Sequence, residues 1–286
     1  MGKAALILIY NHHFTKNIDT LEKIYRDRFS IIYHLIPFYR GDRENVIPVY
    51  DNSYFFQGYI SQGLKVFGKE KADHFIFAAD DLMINPLINE TNYSEHLNLK
   101  ENSSFLPGLV SFHERKEWWA RTGDAFNYSL QVPGVEAGGH LPEYEEALKC
   151  FKRFNLEIKP LSYNQIWKEP IVEKSADYNL TYPLAGSYSD FFVISSKSIK
   201  SFSHYCGVFA ATKLFVEVAI PTAVILSADE IVLEKDINLR GRALWTPDDY
   251  KILDEYNFNL NKLLKNFPKN YLYLHPIKLS KWENVE

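Results

Sequence analysis

Two adjacent carboxylates, Asp80 and Asp81, close the apolar run of HFIFAADDLMINP, residues 74–86. At the mouth of a buried strand, like charges repel and resist desolvation unless a cation sits between or beside them. Their oxygens are the hard ligands that Mg²⁺ or Mn²⁺ prefers, and such a site leaves positions open for substrate phosphates. The competing use is an Asx turn or helix cap, in which Asp hydrogen-bonds nearby backbone.

The elements that must hold these acids read as an α/β frame. AALILIY is a continuous apolar strand ending in polar NHH, and NIDTLEKIYRDRF places Ile18, Leu21, Ile24 and Tyr25 at helical spacing. SIIYHLIPFY and VIPVYD are strands about the turn RGDREN, and YFFQGYISQGLKVFG is an amphipathic helix closed by Gly68. With HFIFAA as a further strand, the pattern predicts a mainly parallel, Rossmann-like sheet flanked by helices. Ligands of such sheets bind beyond the carboxyl ends of the strands, so the tips NHH, YDNS and ADD are expected to converge on one crevice.

Later segments are less regular. ERKEWWARTGDAFNYSLQVPGVEAGGHLP has no period, and a loop that long is usually functional or mobile. PEYEEALKCFKRFN is a helix with Pro142 near its start, and SDFFVISS is a strand. GVFAATKLFVEVAIPTAVIL contains Lys213, Glu217 and Pro221, so a buried, kinked helix fits it better than a membrane span. ALWTPDDYKILDEYNFNLNKLLKNF follows, with Thr246 as cap and Pro247 at the first helical position; NYLYLHPIKLSKW is a strand broken at His275-Pro276.

The strand-plus-acids FIFAADDLMINP resembles the metal-binding DxD-type signature of GT-A glycosyltransferases, which use nucleotide-sugar donors. Ala79-Asp80-Asp81 stands where that signature has Asp-x-Asp. The resemblance implies a GT-A-like fold with Asp81 as the metal ligand and Asp80 serving the donor sugar or ribose. It implies a second ligand in His275, whose imidazole suits Mn²⁺ better than Mg²⁺, and a partner for the diphosphate in Lys278. Tyr10, Asn11, His12 and Asp51 would hold the base and ribose. Glu217 would be the general base, its pKa raised by its apolar run; a Lys213–Glu217 pair one helical turn apart is the structural alternative. Asp190, in AGSYSDFFVIS, would bind sugar hydroxyls or replace Glu217 as base, while Arg240 and Arg242 are further phosphate candidates. Residues 1–100 would form the nucleotide-sugar half and 101–286 the mixed acceptor half of one domain. The 111–140 segment, with Trp118 and Trp119, would close over the donor or stack on the acceptor sugar.

Composition narrows the alternatives. The net charge of −4, from 32 basic and 36 acidic residues, speaks against a general nucleic-acid binder. Cys150 and Cys206 lie in apolar surroundings and read as reduced core residues. MGKAALILIY lacks the features of a signal peptide or a myristoylation site. No GxSxG elbow, phosphate loop, GxGxxG or HExxH motif occurs. The expectation is a cytoplasmic enzyme, at the inner face of the membrane if its acceptor is lipid-linked. It would move a sugar from a UDP- or GDP-sugar to a glycan or glycolipid hydroxyl of the bacterial surface type, with Mn²⁺ or Mg²⁺. One rival is a sugar nucleotidyltransferase, whose Gly-rich basic loop NHHFTKN lacks. The other is a non-catalytic carbohydrate-binding module built on the 15% of aromatic residues, which would need no metal.

Overall fold

The computed structural model describes residues 3–112, 125, 128–158 and 182–283. Strand β1 (Ala4–Ile9) is buried at every position, as a strand covered on both faces requires. Its side chains alternate between two cores. Ala4, Leu6 and Leu8 face the core of helix α1 (Asn17–Tyr25), whereas Ala5, Ile7 and Ile9 share a core with α2 (Gln57–Phe67). Strands β2 (Ile32–Pro37), β3 (Val46–Val49) and β4 (His74–Ala79) complete the first half. Pro48, which has no N–H to donate, is exposed in β3 at the sheet edge.

The chain continues through β5 (Met83–Ile84), a short α3 (Tyr93–His96), β6 (Ser103–Leu106), β7 (Val110–Ser111) and the hairpin of β8 (Gln131–Val132) and β9 (Val135–Glu136). Then come α4 (Tyr144–Arg153), β10 (Ala185–Gly186), β11 (Phe191–Ser195), α5 (Ile199–Ala211), α6 (Val216–Ser227) and β12 (Glu230–Leu233). The described chain ends with β13 (Arg240–Ala243), α7 (Pro247–Tyr250), α8 (Leu260–Lys265) and β14 (Tyr271–His275). The main sheet has seven strands in the order β12-β6-β11-β4-β1-β2-β3. All run parallel except β11, which is antiparallel to both β4 and β6. The mainly parallel, helix-flanked α/β sheet expected from the sequence is thus the observed one.

A smaller mixed sheet, β13-β14-β5, positions the later residues of the site. β5 begins two residues after Asp81, and β14 pairs with it through Tyr273 and Leu274, so the end of β14 is delivered to the end of β4. The Ile277 N–H then donates to the Asp81 carbonyl at 2.6 Å and anchors the chain beyond β14.

Two expected helices are each broken. The apolar segment around Glu217 is two helices, α5 and α6, parted at Lys213, which adopts a left-handed φ of 61°. Thr246 caps α7 as expected, in a box with Asp249, but that helix stops after one turn. Asn257 and Phe258 turn left-handed and Asn259 caps α8 anew by accepting from the Lys262 N–H. Among the described residues no helix is long and apolar enough to cross a membrane.

At the centre of the main sheet, Phe77 of β4 stacks on Phe192 of β11 with ring centroids 4.9 Å apart and planes inclined by 16°. Phe77 is fully buried, and the edges of Phe67 and Phe202 close around it. Phe77→Ala is expected to cost about 3–5 kcal/mol, through lost transfer energy and the cavity left behind. Urea unfolding followed by circular dichroism checks this through a lowered midpoint at unchanged slope.

Candidate active site

The tips NHH and ADD converge, while YDNS reaches them only through Ser53. Asn11 and His12 follow β1, Asp80 and Asp81 follow β4, Asp190 precedes β11, Glu217 lies in the first turn of α6, and His275 and Lys278 close β14. Together they line a crevice of two adjoining hollows, ≈ 340 and ≈ 370 Å³ in volume, which share Asn11, His12, Asp81 and Lys278. The first adds Phe14, Asn17 and Asp80; the second adds Tyr54, Asp190, Glu217, Trp245 and His275. A larger hollow of ≈ 570 Å³ beside the β8–β9 hairpin has Glu136 as its one ionisable lining side chain among the described residues, whereas the crevice gathers several.

The twin acids are not equivalent. Asp80 is 4% exposed, and its Oδ2 accepts from Asn17 Nδ2 at 2.8 Å, which ties the start of α1 to the end of β4. Burial and the neighbouring Asp81 charge push its pKa up to about 7, against hydrogen bonds from Asn17 and the Asn11 backbone that favour the ionised form. Asp81 keeps 28% of its side chain exposed to the crevice. Its Oδ1 lies 3.0 Å from Nε2 of His275, across 194 residues of sequence.

His275 is held on both sides. Its Nδ1 lies 2.5 Å from the hydroxyl of Tyr188, whose pKa is raised by burial and by the nearby charge of Asp190. Burial pulls the His275 pKa down, but the Asp81 hydrogen bond and the charges of Asp190, Asp81 and Asp80 outweigh it and raise the pKa. Burial raises the pKa of Asp190 as well; the His275 charge and the Tyr188 hydrogen bond oppose this, while the Asp81 charge adds to it.

A hard carboxylate oxygen beside an imidazole nitrogen is a donor pair suited to Mn²⁺. Two ligands on neighbouring corners of an octahedron, each about 2.1 Å from the ion, lie about 3 Å apart, which is the separation this pair already has. No group of three or more ligating side chains occurs among the described residues. The remaining positions would fall to substrate phosphates and water, the usual arrangement for such ions.

Glu217 owes its placement to Pro221. Proline has no N–H, so the carbonyl of the residue four positions earlier loses its helical partner. That carbonyl belongs to Glu217, and it accepts instead from the Ser187 N–H at 3.0 Å. The helix start and the segment leading to Tyr188 and Asp190 are thereby joined. A carboxylate in the first turn also suits the helix dipole.

Several expected roles are corrected. Tyr10 points into the core, where its hydroxyl lies 2.8 Å from Nδ1 of fully buried His34, so it does not line the crevice. Asp51 accepts from the N–H of Asn52, the cap of the next turn, at 2.8 Å and lines neither hollow. Lys213 and Glu217 do not share a helix; the Lys213 ammonium stands 5.1 Å from the Phe55 ring centroid. Arg240 donates to backbone carbonyls of Glu234, Ile237 and Leu239, and Arg242 pairs with Asp249 at 2.7 Å, so both are spent on structure. Trp118 and Trp119 lie outside the described residues.

Three aromatic residues of the site were not anticipated. Tyr188 backs His275; Tyr54 is 46% exposed in the second hollow; Trp245, 65% exposed, stands edge-on to His275 at 5.8 Å. Trp245 has the same kind of address as the other tips, a strand-to-helix turn just past a carboxyl end, and that was the available signal.

No protein-family model and no curated protein matches the chain. Among solved structures it is similar to core-mannan synthase A (CmsA/Ktr4) from Aspergillus fumigatus in its Mn/GDP form. That likeness has 12% identity and a TM-score of 0.36, over 82% of this chain and 73% of that one. A likeness of this size carries no argument, and the functional reading rests on this chain's own side chains.

Proposed function

We propose that the crevice transfers a sugar from a nucleotide-diphosphate donor to an acceptor hydroxyl, with a divalent metal held by Asp81 and His275. The observation that carries this reading is the meeting of those two side chains at 3.0 Å on the floor of the crevice. Bound there, Mn²⁺ or Mg²⁺ would act as a Lewis acid that stabilises the departing diphosphate. Lys278, whose ammonium makes no ion pair with any described residue, adds a positive charge for the same group.

Glu217 takes the proton of the attacking acceptor hydroxyl as its oxygen bonds to the anomeric carbon and the nucleoside diphosphate leaves. Asn11, His12 and Asn17 supply polar contacts to the donor in the first hollow. Tyr54 and Trp245 give the second hollow flat apolar walls, on which an acceptor sugar, free or lipid-linked, can stack.

Calorimetry of the full chain with UDP and with GDP, each with and without Mn²⁺, tests the reading. Metal-dependent diphosphate binding supports it; absence of such binding sinks it. A carbohydrate-binding module would instead bind glycan without metal, and a nucleotidyltransferase would prefer a nucleoside triphosphate. Trp245→Ala is expected to cost about 0.5–1.5 kcal/mol of stacking, roughly 2- to 10-fold in acceptor KM, with kcat little changed. Steady-state kinetics with varied acceptor checks it.

A further inference from the structure

We infer that Tyr188 is a positioning residue that fixes the tautomer of His275, keeping the ring proton on Nδ1 so that Nε2 is free to bind the metal. This rests on the metal reading above. An imidazole coordinates through a nitrogen that carries no proton, and what the other nitrogen bonds to decides the tautomer. In His275 the two nitrogens have distinct neighbours, Asp81 at Nε2 and the Tyr188 hydroxyl at Nδ1.

A hydroxyl both accepts and donates. Tyr188 can therefore accept from Nδ1–H while turning its own proton toward the nearby carboxylate of Asp190. The sequence Nδ1–H to hydroxyl to carboxylate then leaves every proton paired. The alternative tautomer turns Nε2–H toward Asp81 and closes the site to a cation. Asp190 becomes the outer anchor of this chain, and its carboxylate is committed to Tyr188 instead of to a sugar.

The phenol is held where this needs it. Its ring lies parallel to Tyr273 at 5.9 Å and 10°, and Tyr273 is two residues before His275 on the same strand. Its backbone follows Ser187, whose N–H is bound to the Glu217 carbonyl. Removing such outer partners of a ligating histidine weakens metal binding about 10- to 100-fold.

Free Mn²⁺ is measured by electron paramagnetic resonance during titration of the full chain, with and without UDP or GDP. Tyr188→Phe keeps the ring stack and is expected to bind Mn²⁺ about 10- to 100-fold more weakly. Tyr273→Phe, whose hydroxyl does not reach the imidazole, should bind as wild type does. In ¹⁵N spectra of the wild type with diamagnetic Mg²⁺, His275 should carry its proton on Nδ1; this readout does not depend on any variant folding. Equal Mn²⁺ affinity of Tyr188→Phe and wild type, or an Nε2–H tautomer in the Mg²⁺ form, overturns the inference. If the wild type binds no Mn²⁺ at all, the metal reading falls and this inference falls with it.

Discussion

Asp81→Asn is expected to abolish metal-dependent binding of UDP or GDP and to lower sugar transfer on the order of 10³-fold, the several kcal/mol that a Lewis-acidic ion contributes. The substitution keeps the size of the side chain and leaves untouched the carbonyl that accepts from Ile277. The β4–β14 junction should therefore survive, and unfolding temperature without metal serves as the control. What is lost is the anionic oxygen facing Nε2 of His275. Calorimetry and nucleotide-release assays read the two effects separately. A variant that still binds the diphosphate with undiminished metal dependence would remove Asp81 from the site.

Glu217→Gln should behave differently. Loss of a general base costs about 10²–10⁴ in rate, and here the cost should fall on kcat while donor affinity is preserved. Glu217 lines only the second hollow, whereas Asp81 and Lys278 are shared with the first. Gln keeps the volume and the backbone link from Ser187, so the crevice should hold its shape. Donor binding by calorimetry, beside kcat with saturating acceptor, decides the matter. Unchanged turnover, or donor affinity falling in step with turnover, would contradict the assignment.

Much of the frame was legible because period and punctuation agreed. Strands β1, β3 and β4 are largely apolar runs, and the tips after β1 and β4 share a crevice that the tip after β3 reaches only through Ser53. Tyr10 was legible too, yet misassigned: Ala4, Leu6 and Leu8 alternate onto one face, and the next position on that face is Tyr10. The break between α5 and α6 was hidden. Residues on both sides of it are buried, so burial pattern marks no reversal, and a lysine gives no sign of a left-handed φ. Pro221 sits inside α6, and the Glu217 carbonyl it was expected to crowd has left the helical ladder for the Ser187 N–H. The arginines misled because charge was visible while their local acceptors, Asp249 and the carbonyls near Glu234, were not recognised as such. The pairing of Asp81 with His275 could not come from spacing alone. It depends on β14 crossing back to β5, a long-range strand pairing that no local pattern encodes.

The proline in α6 has one more effect. By surrendering a helical partner to Ser187, it welds the wall that bears Glu217 to the wall that bears Tyr188 and Asp190. Moving one of those walls against the other would break that bond. Trp245, edge-on to the imidazole, hangs from a third element, the turn after β13, where the Leu244 N–H donates to the His275 carbonyl at 2.7 Å.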